Sequence, residues 1–543
     1  MEFKDAFVAA EDELGTIDLN ELKKIGVSKE KKDLLGSHTV VTYPPLDALQ
    51  EVDGAAVFNR LKTGKFVDAY IHIPFCEYPC KFCPYTTMNN AGKDAENMGA
   101  YFSALKKEIS TWAQKFEECG SQVQSLYIGG GTPFAVPPEY LSDLMTHVRK
   151  TLPFVDLPEI CMETSPSATL EEDAEEKLET VKNSGVTRMS IGIQTFDFES
   201  LRDQARTFVG HTANDEEAAL RRLMSSGIAQ INADMIQDLP LLSKSYHERL
   251  QRDLEQITAI GPHHITWYNM RLRPETTYAH MKIAVPSERE SLLTRLTIWN
   301  YLEGNGYKIL EGDRFAKEEK NEDKFRKTRG SVKSQLIGMG VSAYSHVPGE
   351  NFGQREGFFF QNSRDIGKRV REDSRQAVAD YIRKVQEHGH AITFGYPLTV
   401  DEEIAGTFAL GLKKGVDLPA VTEYIETTPE GAAYSRAVLT DLISLLDAGL
   451  IVIEDGIMKF SRAGRLFENE LSSKFYSPRA KYMALQRRKQ ESADKAHSGV
   501  HQKRLPVLEV KTEVGPSDTD RINTVSYETS IALNRVMTEQ RGF

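Results

Sequence analysis

Apolar and polar positions change rhythm near residue 66 and again near residue 395. Between those points six short apolar runs recur: "DAYIHI" (68–73), "SLYIGG" (125–130), "EICMET" (159–164), "RMSIGI" (188–193), "QINADMI" (230–236) and "HITWYN" (264–269). Charged segments of helical period separate them, among them "AYFSALKKEISTWAQKF" and "EEDAEEKLETVKNSG". Short strand-like runs alternating with helix-length stretches predict an α/β fold, a parallel sheet with crossover helices. Six such units predict a partial or complete barrel whose reactive groups gather at the carboxyl ends of the strands.

Residues 1–65 read as a charged, partly helical lead-in, and residues 66–395 as the barrel with an extension. From 396 to 476 the pattern differs. There "TVDEEIAGTFALGLKKG" and "SRAVLTDLISLLDAG" are amphipathic at helical spacing, and "LIVIEDGIMKFSRAGRLF" reads as a strand pair around an Asp-Gly turn. A small helical domain with a winged-helix-like end is expected. Residues 477–543 read as a charged tail, partly disordered, with one helix near "SYETSIALNRVMTEQ".

At 543 residues the chain exceeds one ordinary core, and 40% hydrophobic with 27% charged residues is a globular balance. A net charge of −12 argues against a nucleic-acid partner. No apolar run reaches the ~18 residues of a membrane span, and the acidic start "MEFKDAFVAAEDELG" lacks the pattern of a signal peptide. Five cysteines, few and odd in number, do not make a disulfide framework, so a cytoplasmic location with reduced thiols is expected.

Three of those cysteines, Cys76, Cys80 and Cys83, fall in one proline-broken loop, "FCEYPCKFCPY". Thiolates hold zinc or an iron–sulfur cluster. Structural zinc takes four ligands, commonly as two pairs, and no second C-x-x-C exists here. Three thiolates leave one corner of a cubane cluster without a protein ligand, and an open coordination position is what binds a cosubstrate. Cys119 and Cys161 stand alone and read as small buried hydrophobes. His72, His211, His263 and His264 have no chelating spacing and read as packing or surface residues.

The C-x-x-x-C-x-x-C spacing directly after the first strand resembles the signature of radical S-adenosylmethionine (SAM) enzymes. "YIHIPFC" is similar to the start of the family around oxygen-independent coproporphyrinogen III dehydrogenase, and the resemblance runs to about residue 475. It implies a partial (β/α)6-type radical SAM barrel and a [4Fe–4S] cluster on Cys76, Cys80 and Cys83. SAM would chelate the open iron and be cleaved to a 5′-deoxyadenosyl radical. Within "YIGGGTP" the resemblance puts Gly130, Gly131 and Thr132 at the methionine amino group. Glu163, Gln194 and Arg206 fall at SAM-contacting positions, and an arginine can pair bidentately with a carboxylate. Tyr70 and Phe82 fall at positions lining the SAM pocket. Asp234 lies in a hydrophobic strand, where an unpaired carboxylate is costly, so a ligand-binding role at the strand end is expected.

Three departures select among the branches that this resemblance covers. The coproporphyrinogen dehydrogenases carry a further cysteine where this chain has Tyr85. Related haem chaperones begin almost at the first strand, whereas residues 1–65 precede it here. They also carry an "HNxxYW" motif that "NEDKFRKTRGSVKSQLIGMGVSAYS" lacks. What remains is similar to the class C radical SAM methyltransferases, which implies two SAM molecules and C-methylation or cyclopropanation at an sp2 carbon. The substrate would be an aromatic, quinone or natural-product molecule. A porphyrinogen-processing enzyme resembling the oxygen-independent coproporphyrinogen III oxidases and a haem-binding chaperone are the alternatives. A small-molecule substrate and an electron donor such as flavodoxin or ferredoxin are the expected partners.

Overall fold

In the computed structural model the six apolar runs form consecutive strands: β1 (Phe66–Ile73), β2 (Gln122–Gly130), β3 (Phe154–Thr164), β4 (Arg188–Gln194), β5 (Gln230–Gln237) and β6 (His264–Asn269). The structure describes residues 1–29, 42–78, 80–89, 95–208, 210–240, 246–270, 272–273, 276–281, 283, 285–318, 324–329, 334–349, 357–364 and 370–496. The six strands lie side by side in chain order, and every neighbouring pair is parallel. Parallel neighbours need crossover connections, and helices such as Ala95–Cys119, Pro138–Thr151 and Tyr246–Ile260 supply them. Leu105, Ile109, Trp112 and Phe116 recur at helical spacing on the first of these and are buried.

The sheet continues past both ends of this set. Beyond β6 lies a hairpin, β7 (Lys308–Glu311) and β8 (Arg314–Ala316), with β8 antiparallel to β6. On the other side β9 (Leu336–Met339) pairs parallel to β1. Antiparallel β10 (Tyr344–Val347), β11 (Gly357–Asn362) and β12 (Ile392–Leu398) follow, and the short strand Gln50–Glu51 ends the sheet on β12. The result is a mixed thirteen-stranded sheet around a parallel centre. The extension strands are short, and no run of alternating positions announces them in the sequence.

C-terminal to the sheet, helices Val400–Gly411, Leu418–Thr427 and Pro429–Asp447 precede the hairpin Ile451–Glu454 and Ile457–Phe460. Its turn residues Asp455 and Gly456 both take positive φ, 50° and 79°, as a two-residue hairpin turn requires. Strand Val416–Asp417 completes a small three-stranded sheet. Residues 478–496, read from the sequence as the start of a charged tail, instead form a helix. Its Ala480 and Ala484 are fully buried, and Arg487 donates to the Leu49 carbonyl at 3.1 Å. The helix expected near residues 526–540 lies outside the described residues. No described helix is long and apolar enough to cross a membrane.

Two buried carboxylates join these parts. Glu402 accepts from Tyr43 of the lead-in, from Tyr396 of β12 at 2.7 Å and from Ser477 at 2.8 Å. Glu108, on the Ala95–Cys119 helix, accepts from the Gly340 amide and Tyr381 hydroxyl, each at 2.7 Å, and from Asn362 Nδ2 at 2.9 Å. Burial pushes the Glu108 carboxyl up to about 7, against the pull of those donors. A carboxylate raised in the folded state is protonated there more readily than in the unfolded chain. Its contribution to stability is therefore fullest below the unfolded pKa and is lost as pH rises through about 7. The stability advantage of wild type over Glu108→Gln, followed by thermal melts, should narrow between about pH 5 and 7. An advantage that widens over that range would contradict this sign.

Candidate active site

The carboxyl ends of β1 and β2 meet through their backbones. The Gly131 amide donates to the Ile73 carbonyl and the Thr132 amide to the Phe75 carbonyl, both at 2.7 Å. A side chain at Gly131 would sit 2.3 Å from the Phe75 oxygen. Gly130 takes φ +116°, and a Cβ there would meet the His72 ring at 2.6 Å. Only glycine permits that approach. The loop that leaves β1 is pinned further along. Phe75–Cys76 pairs with Met88–Asn89, and the Lys81 amide and carbonyl bond Gln204 and Tyr278, each at 3.1 Å.

Glu163, at the end of β3, reaches across to β2. Its Oε1 accepts from the Tyr127 hydroxyl at 2.8 Å and its Oε2 from the Gly130 amide at 3.1 Å. Tyr127 stacks on Tyr70 with ring centroids 6.2 Å apart, and the Tyr70 hydroxyl lies 3.0 Å from His72 Nδ1. His72 Nε2 lies 3.1 Å from the Thr86 carbonyl, which can only accept, so Nε2 carries the proton and Nδ1 accepts from Tyr70. Burial pushes the His72 pKa down to about 4, which keeps the ring neutral. Burial, followed by the nearby Glu163 carboxylate, raises the phenols of Tyr70 and Tyr127. The phenols thus stay protonated and act as donors.

The three loop thiols lie within electrostatic reach of one another. Burial first, and then the neighbouring thiols, push Cys76 well up and Cys83 up to about 12. Arg206 is the cation beside them. Its Nη1 donates to Cys80 Sγ at 3.4 Å, its Nη2 donates to the Gly192 carbonyl at 2.5 Å, and it lies over the Tyr78 ring at 5.5 Å. Burial works against the Arg206 charge, and Cys80, Tyr78 and Glu216 together more than offset it, so its pKa is raised. Gln194, with φ 68° at the end of β4, faces the same Gly192. Thr132 Oγ1 lies 3.7 Å from Cys76 Sγ.

Among the described residues, no group of three His, Cys, Asp or Glu side chains could hold a single metal ion. Three thiols within electrostatic reach of one another suit a multi-iron cluster, in which each thiolate takes a different iron. Metal binding would also supply the positive charge that makes buried thiols into thiolates. The residues present fit such a cluster with one open corner.

The structure therefore brings Tyr70, the three cysteines, Gly130, Gly131, Thr132, Glu163, Gln194 and Arg206 to one end of the sheet. Phe82 lies half-buried in the turn between Cys80 and Cys83. Asp234 is held by its strand neighbours. It stands three residues inside β5, accepting from Ser190 Oγ at 2.9 Å and Asn232 Nδ2 at 2.8 Å. It lines a small polar pocket with Tyr127, Arg188, Tyr268 and Arg314. The unpaired-carboxylate reasoning missed that Ser190 and Asn232, from the same two strands, satisfy it. Sequence reasoning also passed over Tyr127, whose position in "YIGGGTP" was the available signal, and the whole Glu77 side of the loop.

Residues 70–242 match the family model described as the Radical SAM superfamily. The heme chaperone HemW of Bacillus subtilis (strain 168) is 26% identical over 414 residues, which span 75% of this chain and 98% of that protein. The oxygen-independent coproporphyrinogen III oxidase of Escherichia coli (strain K12) is 26% identical over 413 residues, 73% of this chain and 82% of that protein. The solved structure of coproporphyrinogen III oxidase (HemN) from Escherichia coli, described as a radical SAM enzyme, superposes with a TM-score of 0.64 at 23% identity. That match covers 85% of this chain and 98% of the other and shows a shared fold.

Replacing Cys76, Cys80 or Cys83 by Ala should each deplete the roughly four irons per chain expected of one cubane cluster after anaerobic reconstitution. Cys119→Ala and Cys161→Ala should retain the iron. A folded Cys161→Ala protein without iron would overturn the assignment.

Proposed function

We propose that this chain, a radical SAM superfamily member and enzyme related to the haem chaperones and oxygen-independent coproporphyrinogen oxidases, cleaves SAM reductively and acts on a porphyrin-like tetrapyrrole. The observation that carries the first half is the meeting of three thiols, the Glu163–Gly130 bridge and the Arg206 cation at one end of a parallel sheet. Cys76, Cys80 and Cys83 would hold a [4Fe–4S] cluster there, which when bound would supply the electron that reductive cleavage of SAM needs. The protein's part is binding and exclusion. Arg206 offers a buried cation for the SAM carboxylate, and Glu163, Gln194 and the Gly130–Thr132 segment offer polar groups for its remaining edge. The phenols of Tyr70 and Tyr127 hold Glu163 and His72 in fixed orientation.

Support for the tetrapyrrole comes from the near-complete span of both relatives and from the mouth of the site. Tyr85 is 61% exposed, and its phenol lies within electrostatic reach of Cys83, Arg273, Glu163 and Tyr344. An exposed phenol with an arginine in reach suits a flat, acidic ring system. No comparison supports the methyltransferase branch over these relatives. Methylene transfer from a second SAM is kept as the second reading because Tyr85, not a cysteine, stands two residues after Cys83. Porphyrin and haem chemistry also needs a low-potential electron donor such as flavodoxin or ferredoxin.

Two measurements test this reading. Arg206→Ala and Glu163→Gln should weaken SAM binding about tenfold to a hundredfold, as loss of a charge-assisted contact of about 1.5–3 kcal/mol would, with iron content unchanged. Unchanged SAM affinity in both variants would remove these residues from the cosubstrate site. With SAM deuterated in its methyl group, turnover on a porphyrinogen should give 5′-deoxyadenosine without deuterium. Deuterium in both 5′-deoxyadenosine and product would replace the tetrapyrrole reading by methylene transfer.

A further inference from the structure

Between Cys76 and Cys80 the loop carries a carboxylate, Glu77, that none of the roles above uses. The Ser165 hydroxyl donates to one of its oxygens and the Ser167 hydroxyl to the other. The adjacent Tyr78 hydroxyl donates to Ser167. Ser165 also caps the short helix Pro166–Leu170, accepting from the Ala168 amide at 3.2 Å. Ser165 and Ser167 are 3% and 7% exposed. They follow directly on β3, two and four residues after Glu163. One strand end therefore holds both the glutamate facing the glycine segment and the clamp on the cysteine loop.

Burial raises the Glu77 pKa, and the two serine hydroxyls, each donating to one of its oxygens, pull it back toward the carboxylate form. Glu77 lies within electrostatic reach of Arg206 and of Glu171, and of the Cys76 sulfur. We propose that Glu77 is a positioning and charge-setting residue for the iron–sulfur cluster. Its clamp on Ser165 and Ser167 holds the Cys76–Cys80 arm against the end of β3. As a carboxylate it also places a negative charge beside the Cys76 sulfur. Reduction adds an electron to an already anionic centre, and a nearby negative charge in a low-dielectric setting opposes that addition. The cluster's reduction potential is thereby lowered, in the direction that makes its electron a stronger reductant for SAM. This inference rests on the radical SAM reading.

The test uses the full chain, anaerobically reconstituted, with iron content and the cluster's reduction potential as readouts. Glu77→Gln keeps an acceptor for one serine and removes the charge. It should retain iron and shift the potential positive. Ser165→Ala/Ser167→Ala leaves the carboxylate and removes the clamp, and it should lose iron while melting as a folded protein. A Glu77→Gln potential equal to that of wild type would overturn the charge role. Full iron in the double serine variant would overturn the clamp. Wild-type protein that takes up no cluster at all would instead count against the radical SAM reading, so the two failures are distinguishable.

Discussion

The contact on which the site depends is the backbone approach of the Gly130–Thr132 segment to the Ile73–Phe75 segment. Two amide-to-carbonyl bonds of 2.7 Å join them, and a single added Cβ at Gly131 would close one gap to 2.3 Å. That approach fixes where the chain leaves β1, three residues before Cys76. A loop cannot hold three thiols in register unless its departure point is rigid. The same glycines leave room for His72 and expose the Gly130 amide to Glu163, so the metal-side and cosubstrate-side groups share one anchor.

Around that anchor the charges are few and mostly answered. The His72 ring is neutral, the phenols stay protonated, and Arg206 is the buried cation at the thiols. Buried polar groups in such a place are costly unless each has a partner. The partners come from neighbouring strand ends: Tyr127 and Gly130 for Glu163, Gly192 and Cys80 for Arg206, and Ser165 and Ser167 for Glu77. Parallel strands bring these ends to one face, which is why residues far apart in the chain act together.

Much of this was legible in the sequence, for physical reasons that differ by element. The six central strands are buried on both faces, so they read as apolar runs. The cysteine spacing and the glycine segment are local features, visible without any tertiary contact. The rule that buried carboxylates are functional leaves out the partners that hold Asp234, Asn232 on its own strand and Ser190 on the next. The helix at 478–496 was missed because its buried face is made of alanines, Ala480 and Ala484, whose small side chains give little apolar signal. The extension, β9 to β12, was missed because β9 and β10 are only four residues long and β9, β10 and β11 carry no alternating pattern. Glu77 was passed over because two serines after β3, eighty-eight and ninety residues on, give it its meaning.

The central claim is that three thiolates leave one iron open for SAM. Electron paramagnetic resonance of the reduced, reconstituted protein, recorded with and without SAM, tests it most directly. A cluster whose open iron takes SAM should show a reduced-state signal that changes in shape and position when SAM is added, and Cys83→Ala should show no such signal. A wild-type signal unaltered by saturating SAM would contradict the claim.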